Sequence, residues 1–396
     1  MSRRANHQGS VFFIDSKDRW CAQLDGKRKF FVTRVEADNH LRLLLNQREE
    51  GQPIVRNKET LLEYLTKWLD RRVARRELAV TTAQTYDSYI RIRIGKSSLG
   101  KRTLDADGWP EAIEDFLTDL LNEGLAPASV RQIHTILRKA LADAKRKKLI
   151  GFNPATTDHV TGVKVHDRPA RVIKPEQADR LAVASLSHRY EDLFMFLLAT
   201  GARLGEARGL RWHDDDGTPL VDLERGTALL GVRTIITLKG KWLKAMGRNW
   251  DWKELTKANK VVPVVLPAQA LAALRSQEHR IKLLRLACPP GLWQDLDLVF
   301  PSAVGTPFDA TNANHEWHKL CDKAGVPRFS LHTARHTSAT NDLKAGTDPR
   351  VVMAKHGWSQ MKMLERYQHV DEQLLREAAE RVSALLPQNH RSGAAQ

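Results

Sequence analysis

The first fifty residues alternate short apolar runs with turn residues. Three short strands are predicted at 11–14, at the alternating Trp20, Ala22 and Leu24, and at 30–32. Asp25-Gly26 predicts a tight turn between the second strand and the third. Thr33 and Glu36 form a capping-box pattern before an apolar stripe of Leu41, Leu44 and Leu45, which predicts a helix. The pattern therefore predicts a β–β–β–α unit.

In residues 57–155 the apolar positions recur at the spacing of α-helices, which predicts a helical domain. A second capping box, Thr60 with Glu63, opens a helix whose apolar side holds Leu61, Leu65, Trp68, Leu69 and Val73. Three more helices are predicted around 82–94, 110–123 and 127–148, the last two with proline in the first turn. Asn153-Pro154 ends this region, and 156–170 is predicted to be an extended linker.

Residues 171–387 mix helical periodicity with a few β-rich stretches, and 388–396 is predicted to be a tail. The β-rich segments 232–238 and 261–266 flank a polar stretch that contains tryptophans. This arrangement predicts one long hairpin within a mostly helical domain. The expected fold class is therefore multidomain, mainly α with small β-sheets.

The size and the charge of the chain indicate how many domains it has and what kind of partner it binds. A chain of 396 residues is long enough for two or three domains. The formal charge is +16, and both halves are basic, with 31 basic and 22 acidic residues in 1–168. An anionic partner that contacts the whole length is expected. No apolar run of about 18 residues predicts a membrane span, and no apolar signal core opens the chain, so a cytoplasmic protein is expected.

Several patterns resemble ligand sites but lack essential residues. Gly95-Lys96-Ser97 lacks the upstream glycine of a phosphate loop, since position 90 is Ile. Three adjacent carboxylates at 214–216 cannot all converge on a metal, and His332 with His336 has no clear third zinc ligand. The three scattered cysteines form no CxxC pair. No cofactor and no metal site are therefore expected.

Four short motifs in the last half of the chain carry residues suited to phosphate chemistry. The first, 200–212, places Arg203 just after a glycine turn with Glu206 three residues later. The second, 331–337, holds His332 and Arg335 in an H-x-x-R-H cluster. Gly357-Trp358-Ser359 and then 367–370, beginning with Tyr367, follow. Alone, each motif has an ordinary structural explanation.

Together the four motifs resemble the tyrosine recombinase (phage integrase) family in order and spacing, from Thr200 to Val370. The resemblance implies an arm-type DNA-binding domain at 1–52, a helical (SAM-like) core-binding domain at 57–155 and a mixed α+β catalytic domain at 171–387. It also implies the site residues. Arg203 and Arg335 would clamp the phosphate, His332 would act as acid and base, Lys257 as general acid, Trp358 would occupy the His/Trp position, and Tyr367 would be the nucleophile.

The residue types suit the reaction that the resemblance implies. Two guanidinium groups can hold the nonbridging oxygens of a phosphodiester and neutralise developing charge without a metal. A phenol has a pKa near 10, so Tyr367 needs a base, and the departing 5′-oxygen needs a proton. Glu206 is interpreted as structural support for Arg203.

Two positions depart from the family pattern. The usual Leu-Gly-His before the nucleophile is here His356-Gly357-Trp358, which assigns Trp358 to the His/Trp position. The stretch 256–263 matches the lysine motif loosely, so Lys239, Lys241 and Lys260 stay alternatives to Lys257.

The resemblance implies a site-specific recombinase that integrates and excises a phage or other mobile element. The implied partners are double-stranded DNA with core and arm sites, further copies of the chain in a homotetramer, an excisionase and a DNA-bending protein. Two alternatives remain open: a type IB topoisomerase, which shares the chemistry, and a catalytically silent DNA-binding regulator.

Overall fold

The computed structural model describes residues 9–24, 26–49, 58–165, 171–253 and 261–365, together with 376, 379–380 and 382–384. Its contacts divide the chain into two compact units with a boundary between 167 and 168. Each unit has its own core. The finer domain boundaries, at 52–57 and 387–388, stay predictions.

The first unit opens with the predicted β–β–β–α arrangement. Strands β1 (Ser10–Ile14), β2 (Arg19–Leu24) and β3 (Lys27–Phe31) form an antiparallel sheet in the order β1-β2-β3. Helix α1 (Arg34–Glu49) follows, and both hydrogen bonds of the predicted Thr33–Glu36 capping box are present. Ala22, Leu24, Ala37 and Leu41 form a small buried core between sheet and helix. Of the predicted turn, Asp25 lies outside the described residues.

The rest of this unit is a helical bundle, as predicted. Its helices are α2 (Leu61–Ala74), α3 (Val80–Tyr89), α4 (Ser98–Lys101), α5 (Trp109–Asn122) and α6 (Pro127–Arg146). The helix predicted at 82–94 is α3 followed by a π-helical turn, Ile90–Ile94. Buried polar groups are paired across the bundle: Tyr64 donates to the carbonyl of Ala140 at 2.9 Å, and the Trp68 indole donates to Asp143 at 2.7 Å.

The second unit is mostly helical, and those of its residues that the structure describes form two small sheets. Its helices are α7 (Pro175–Ser185), α8 (Glu191–Thr200), α9 (Leu204–Gly209), α10 (Gly240–Met246), α11 (Ala268–Ala287), α12 (Ala310–Lys323), α13 (Leu331–Lys344), α14 (Pro349–Lys355) and α15 (Lys362–Glu365). Its strands are β4 (Val221–Asp222), β5 (Thr227–Leu230), β6 (Thr234–Thr237), β7 (Trp250–Lys253) and β8 (Val262–Val265). Helices α8, α11 and α13 pack together around the main core.

The predicted hairpin between 232–238 and 261–266 is wrong. Strand β6 pairs with β7, whereas β8 pairs with β5 in a separate sheet of order β4-β5-β8. The tryptophan-containing stretch supplies the partner of β6, because Trp250 is buried with Ile235 in a small apolar cluster. Val262 and Val264 instead join the main core beside Ala228, so burial determines the pairing.

Candidate active site

A glycine turn between α8 and α9 places the first arginine. Gly201 has a φ of +67°, which glycine adopts without strain. A Cβ at this position would lie 2.7 Å from Cε1 of His356 and 2.8 Å from Cβ of Ser338. The close approach of three chain segments therefore requires glycine here. Arg203 follows as the N-cap residue of α9.

Glu206 fixes the position of Arg203. Its carboxylate accepts a hydrogen bond from the Arg203 backbone amide at 2.8 Å and another from Nη1 at 2.6 Å. The Arg203 side chain is 44% exposed, while that of Glu206 is 12% exposed. The carboxylate is thus held inside, and the guanidinium keeps a face that an anion from solvent can reach.

Arg335, on α13, is buried and held by two backbone carbonyls. Its Nη1 donates to the carbonyl of Gly201 at 2.9 Å, and its Nη2 donates to the carbonyl of His356. The guanidinium lies 5.6 Å from the ring centroid of Trp358. Both acceptors are neutral carbonyl oxygens, so neither hydrogen bond cancels the positive charge of the guanidinium.

His332 lies one turn before Arg335 on α13 and keeps access to solvent. Partial burial of the ring, followed by the positive charges of Arg335 and Arg203, lowers the pKa of His332, and Glu206 opposes this in part. The ring is therefore neutral at pH 7 and can accept a proton. His332 and both arginines thus belong to one electrostatic environment.

Trp358 follows α14 through Gly357, which has a φ of +58°. It packs against Ala339, Val352 and Leu364 and is 8% exposed. The ring of His356 stacks on it at a centroid distance of 4.9 Å. The indole is thus fixed beside Arg335.

Two predicted site residues, Lys257 and Tyr367, lie outside the described residues, as does the alternative Lys260. Of the other lysines, Lys239 is the exposed N-cap residue of α10, and the Lys241 ammonium lies 5.0 Å from the Trp242 ring centroid. The structure therefore brings together four of the six predicted residues: Arg203, His332, Arg335 and Trp358.

A polar network beside this site was not predicted from the sequence. Asp342 contacts both Lys355 and His356, and the ring of His356 stacks on Trp358. The only signal in the sequence was the histidine where the family motif has leucine. By contrast, the acidic run is structural: Asp214 accepts from the amides of Asp216 and Thr218, and Asp215 pairs with Arg211.

Among the described residues, no three or more His, Cys, Asp and Glu side chains are grouped so that they could hold a metal ion. None of the described helices is both long and apolar enough to cross a membrane.

Comparison with known proteins gives the family. A chain named integrase from Saccharopolyspora erythraea is 24% identical over 385 residues, covering 85% of this chain and 84% of its own. The Tn1549 transposon integrase, solved with transposon right end DNA, has a TM-score of 0.64 at 19% identity and covers 82% of this chain and 100% of its own. A lambda integrase tetramer bound to a Holliday junction has a TM-score of 0.56 at 18% identity, with 92% of this chain and 96% of its own covered. The model of the phage integrase family matches residues 171–373, and the chain belongs to this family.

Proposed function

We propose that this chain is a site-specific tyrosine recombinase that cuts and rejoins double-stranded DNA through a 3′-phosphotyrosine intermediate, and that it integrates and excises a phage or other mobile element. The observation that carries the proposal is the convergence of Arg203, Arg335 and His332 on one site. Two cations beside a neutral, solvent-accessible imidazole suit a phosphodiester whose charge increases in the transition state.

The two arginines would share the phosphate. Arg335 is oriented by the carbonyls of Gly201 and His356, so its guanidinium is preorganised before DNA arrives. Arg203 is oriented by Glu206 and keeps an exposed face. Each could hold a nonbridging oxygen, and together they would stabilise the pentacoordinate transition state electrostatically.

The cleavage step also needs two proton transfers, one away from Tyr367 and one to the departing 5′-oxygen. The Tyr367 oxygen would attack phosphorus, its proton passing to neutral His332, while the bond to the 5′-oxygen breaks and that oxygen takes a proton from Lys257. The new phosphotyrosine ester retains the energy of the broken diester. Attack by a 5′-hydroxyl of another strand would then reverse the step, so rejoining needs no nucleoside triphosphate.

Replacing Lys257 with alanine is expected to slow cleavage by about 100-fold or more, because the 5′-oxygen would leave as an unprotonated alkoxide. A substrate with sulfur at the 5′-bridging position should restore the rate, since a thiolate leaves without a proton. The measurement is single-turnover cleavage of both substrates by wild type and variant.

The matched controls are Lys239→Ala and Lys241→Ala, which should cleave both substrates like wild type. Rescue by sulfur in Lys239→Ala, Lys241→Ala or Lys260→Ala, instead of in Lys257→Ala, would reassign the general acid.

The first unit is proposed to hold DNA at two kinds of site. Residues 57–155 would bind core sites, and residues 1–52 would bind arm sites. The protein is proposed to act as a homotetramer in the host cytoplasm, together with an excisionase and a DNA-bending protein. The support is the basic character of both halves of the chain and the lambda integrase tetramer named above.

Removal of residues 1–52 is expected to leave cleavage of core sites intact but to abolish integration between complete attachment sites. All six proposed site residues lie beyond residue 200, whereas bridging of arm and core DNA requires both binding units on one chain. Lys29 lies 3.6 Å from Asp107 in an exposed pair, so this pair contributes little to the stability of the helical bundle. Footprinting of both proteins on a complete attachment site is the measurement, and identical protection would show that 1–52 is not an arm-binding domain.

The ends of an integrated element beside the encoding gene would provide the substrate for testing the overall proposal. Purified protein should exchange strands between the two reconstituted attachment sites. Relaxation of supercoiled DNA without strand exchange would instead favour the topoisomerase alternative, and binding without cleavage would favour the regulator.

A further inference from the structure

A polar network lies beside Arg203 and Arg335, the two arginines proposed to hold the phosphate and here called the phosphate clamp. His356, 1% exposed, follows the end of α14, and its Nε2 lies 3.2 Å from Oδ2 of Asp342 on α13. The ammonium of Lys355 lies 2.9 Å from each oxygen of the same carboxylate. Asp342 on α13 therefore holds Lys355, the last residue of α14, and His356, the C-cap residue of that helix.

The charges of the network follow from its contacts. Burial would raise the pKa of Asp342, but hydrogen bonds from His356 and Lys355 outweigh it and hold that pKa below its usual value. For His356, burial lowers the pKa; the Asp342 hydrogen bond opposes this, and the Arg335 charge adds to the lowering. An ionised carboxylate only accepts hydrogen bonds, so a neutral His356 must carry its proton on Nε2.

The other side of His356 contacts the site itself. Its ring stacks on Trp358 with an interplanar angle of 23°. The ring edge approaches Gly201, where a Cβ would lie only 2.7 Å from Cε1. Its carbonyl accepts a hydrogen bond from Arg335, which also donates to the carbonyl of Gly201. One residue thus touches Arg335, Trp358 and the turn that precedes Arg203.

We propose that His356, anchored by Asp342, is a positioning residue for the phosphate clamp: it fixes the Trp358 ring plane and the Arg335 guanidinium against the Gly201 turn. The inference rests on the proposed function. A leucine at this place would fill the same space but has no hydrogen bond to fix its orientation. The hydrogen bond from Nε2 to Asp342 fixes the ring plane. It thereby holds two groups in place relative to α13: the Trp358 ring stacked on His356, and the His356 carbonyl that accepts from Arg335.

A test can separate positioning of the clamp from general stability. His356→Leu removes the anchor, whereas His356→Gln keeps an amide N–H that can reach Asp342. Each is compared on a normal phosphodiester and on a scissile methylphosphonate. The methylphosphonate lacks one negative charge, so the transition state depends less on an exactly placed guanidinium.

The full-length His356→Leu protein should cleave the phosphodiester about 10- to 100-fold more slowly than wild type, with DNA affinity within about twofold. On the methylphosphonate the loss should shrink to about threefold or less, and His356→Gln should stay within about threefold on both substrates. Equal losses on both substrates, a wild-type rate for His356→Leu, or a His356→Gln as slow as His356→Leu would each overturn the inference.

If His356→Leu does not fold, Asp342→Asn takes its place. Asparagine keeps an oxygen for Nε2 but loses its charge, so the same contrast between substrates is expected at about two- to fivefold. No contrast would overturn the inference. Wild-type cleavage is measured alongside, because a wild type without covalent cleavage refutes the proposed function itself, whereas an active wild type with unaffected variants refutes only the role of His356.

The structure offers a matched control in His188. Its ring also pairs with a carboxylate, Glu316 at 3.4 Å, and stacks on an aromatic ring, Phe194, at an angle of 17°. His188 lies just before the N-terminus of α8, whereas Gly201 follows the C-terminus of that helix, so His188 is at the opposite end of α8 from the Gly201 turn. His188→Leu should therefore cleave both substrates at the wild-type rate, and a selective phosphodiester defect in this control would overturn the inference.

Discussion

Tyr367→Phe is expected to bind and pair its DNA sites like wild type but to form no covalent protein–DNA adduct. The substitution removes only the hydroxyl oxygen, so the attacking group is lost while the ring is kept. The measurement uses a nicked suicide substrate, from which the cleaved fragment diffuses away and traps the adduct. Adduct formation should fall below detection, a loss of more than about 1,000-fold.

The matched control for this variant is Tyr190→Phe, in the same unit. Tyr190 is 6% exposed and accepts a hydrogen bond from Arg189, so its hydroxyl has a structural role away from the clamp. It should form adduct at the wild-type level. Adduct from Tyr367→Phe at that level would contradict the assignment of the nucleophile.

Arg335→Ala is expected to lower the cleavage rate by about 1,000-fold, with DNA affinity changed by less than about fivefold. The guanidinium would stabilise charge that increases in the transition state, whereas one phosphate contact among many adds little to binding. Loss of its two carbonyl hydrogen bonds should also cost about 2 kcal/mol of unfolding free energy. Single-turnover cleavage, a binding isotherm and a thermal melt separate these effects.

Arg203→Ala gives the same test with a smaller loss of unfolding free energy, because the Arg203 side chain is about half exposed and forms an ion pair with Glu206. The control is Arg225→Ala, an 84%-exposed arginine that also pairs with an acid three residues away, Asp222. Arg225→Ala should cleave at the wild-type rate. A decrease in binding as large as the decrease in cleavage for Arg203 or Arg335 would contradict a transition-state role.

Local patterns in the sequence predicted the local structure well. The Thr33–Glu36 and Thr60–Glu63 capping boxes mark the starts of α1 and α2 because each is a contact between residues three apart. Local patterns did not predict how the strands of the second unit pair. Segments 232–238 and 261–266 were equally good strands, but their partners were decided by which core buries them, and this is a non-local property.

In the candidate site, too, local features were predicted from the sequence and a contact between distant residues was not. Arg203 and Arg335 were predicted because the motifs that hold them resemble those of the family, and the residues of each motif are close together in the chain. The anchor of His356 was not found, because Asp342 lies on another helix and an aspartate there looks like an ordinary exposed residue in sequence. Only packing of α13 against α14 shows that its carboxylate is paired with a buried ring.

We propose above all that Arg203 and Arg335 hold the phosphate for a phosphotyrosine reaction at Tyr367. The most direct measurement is mass spectrometry of the protease-digested adduct trapped on a suicide substrate. The account predicts one modified peptide, carrying a nucleotide through its 3′-phosphate on Tyr367. A nucleotide on any other residue, or a linkage through a 5′-phosphate, would contradict it.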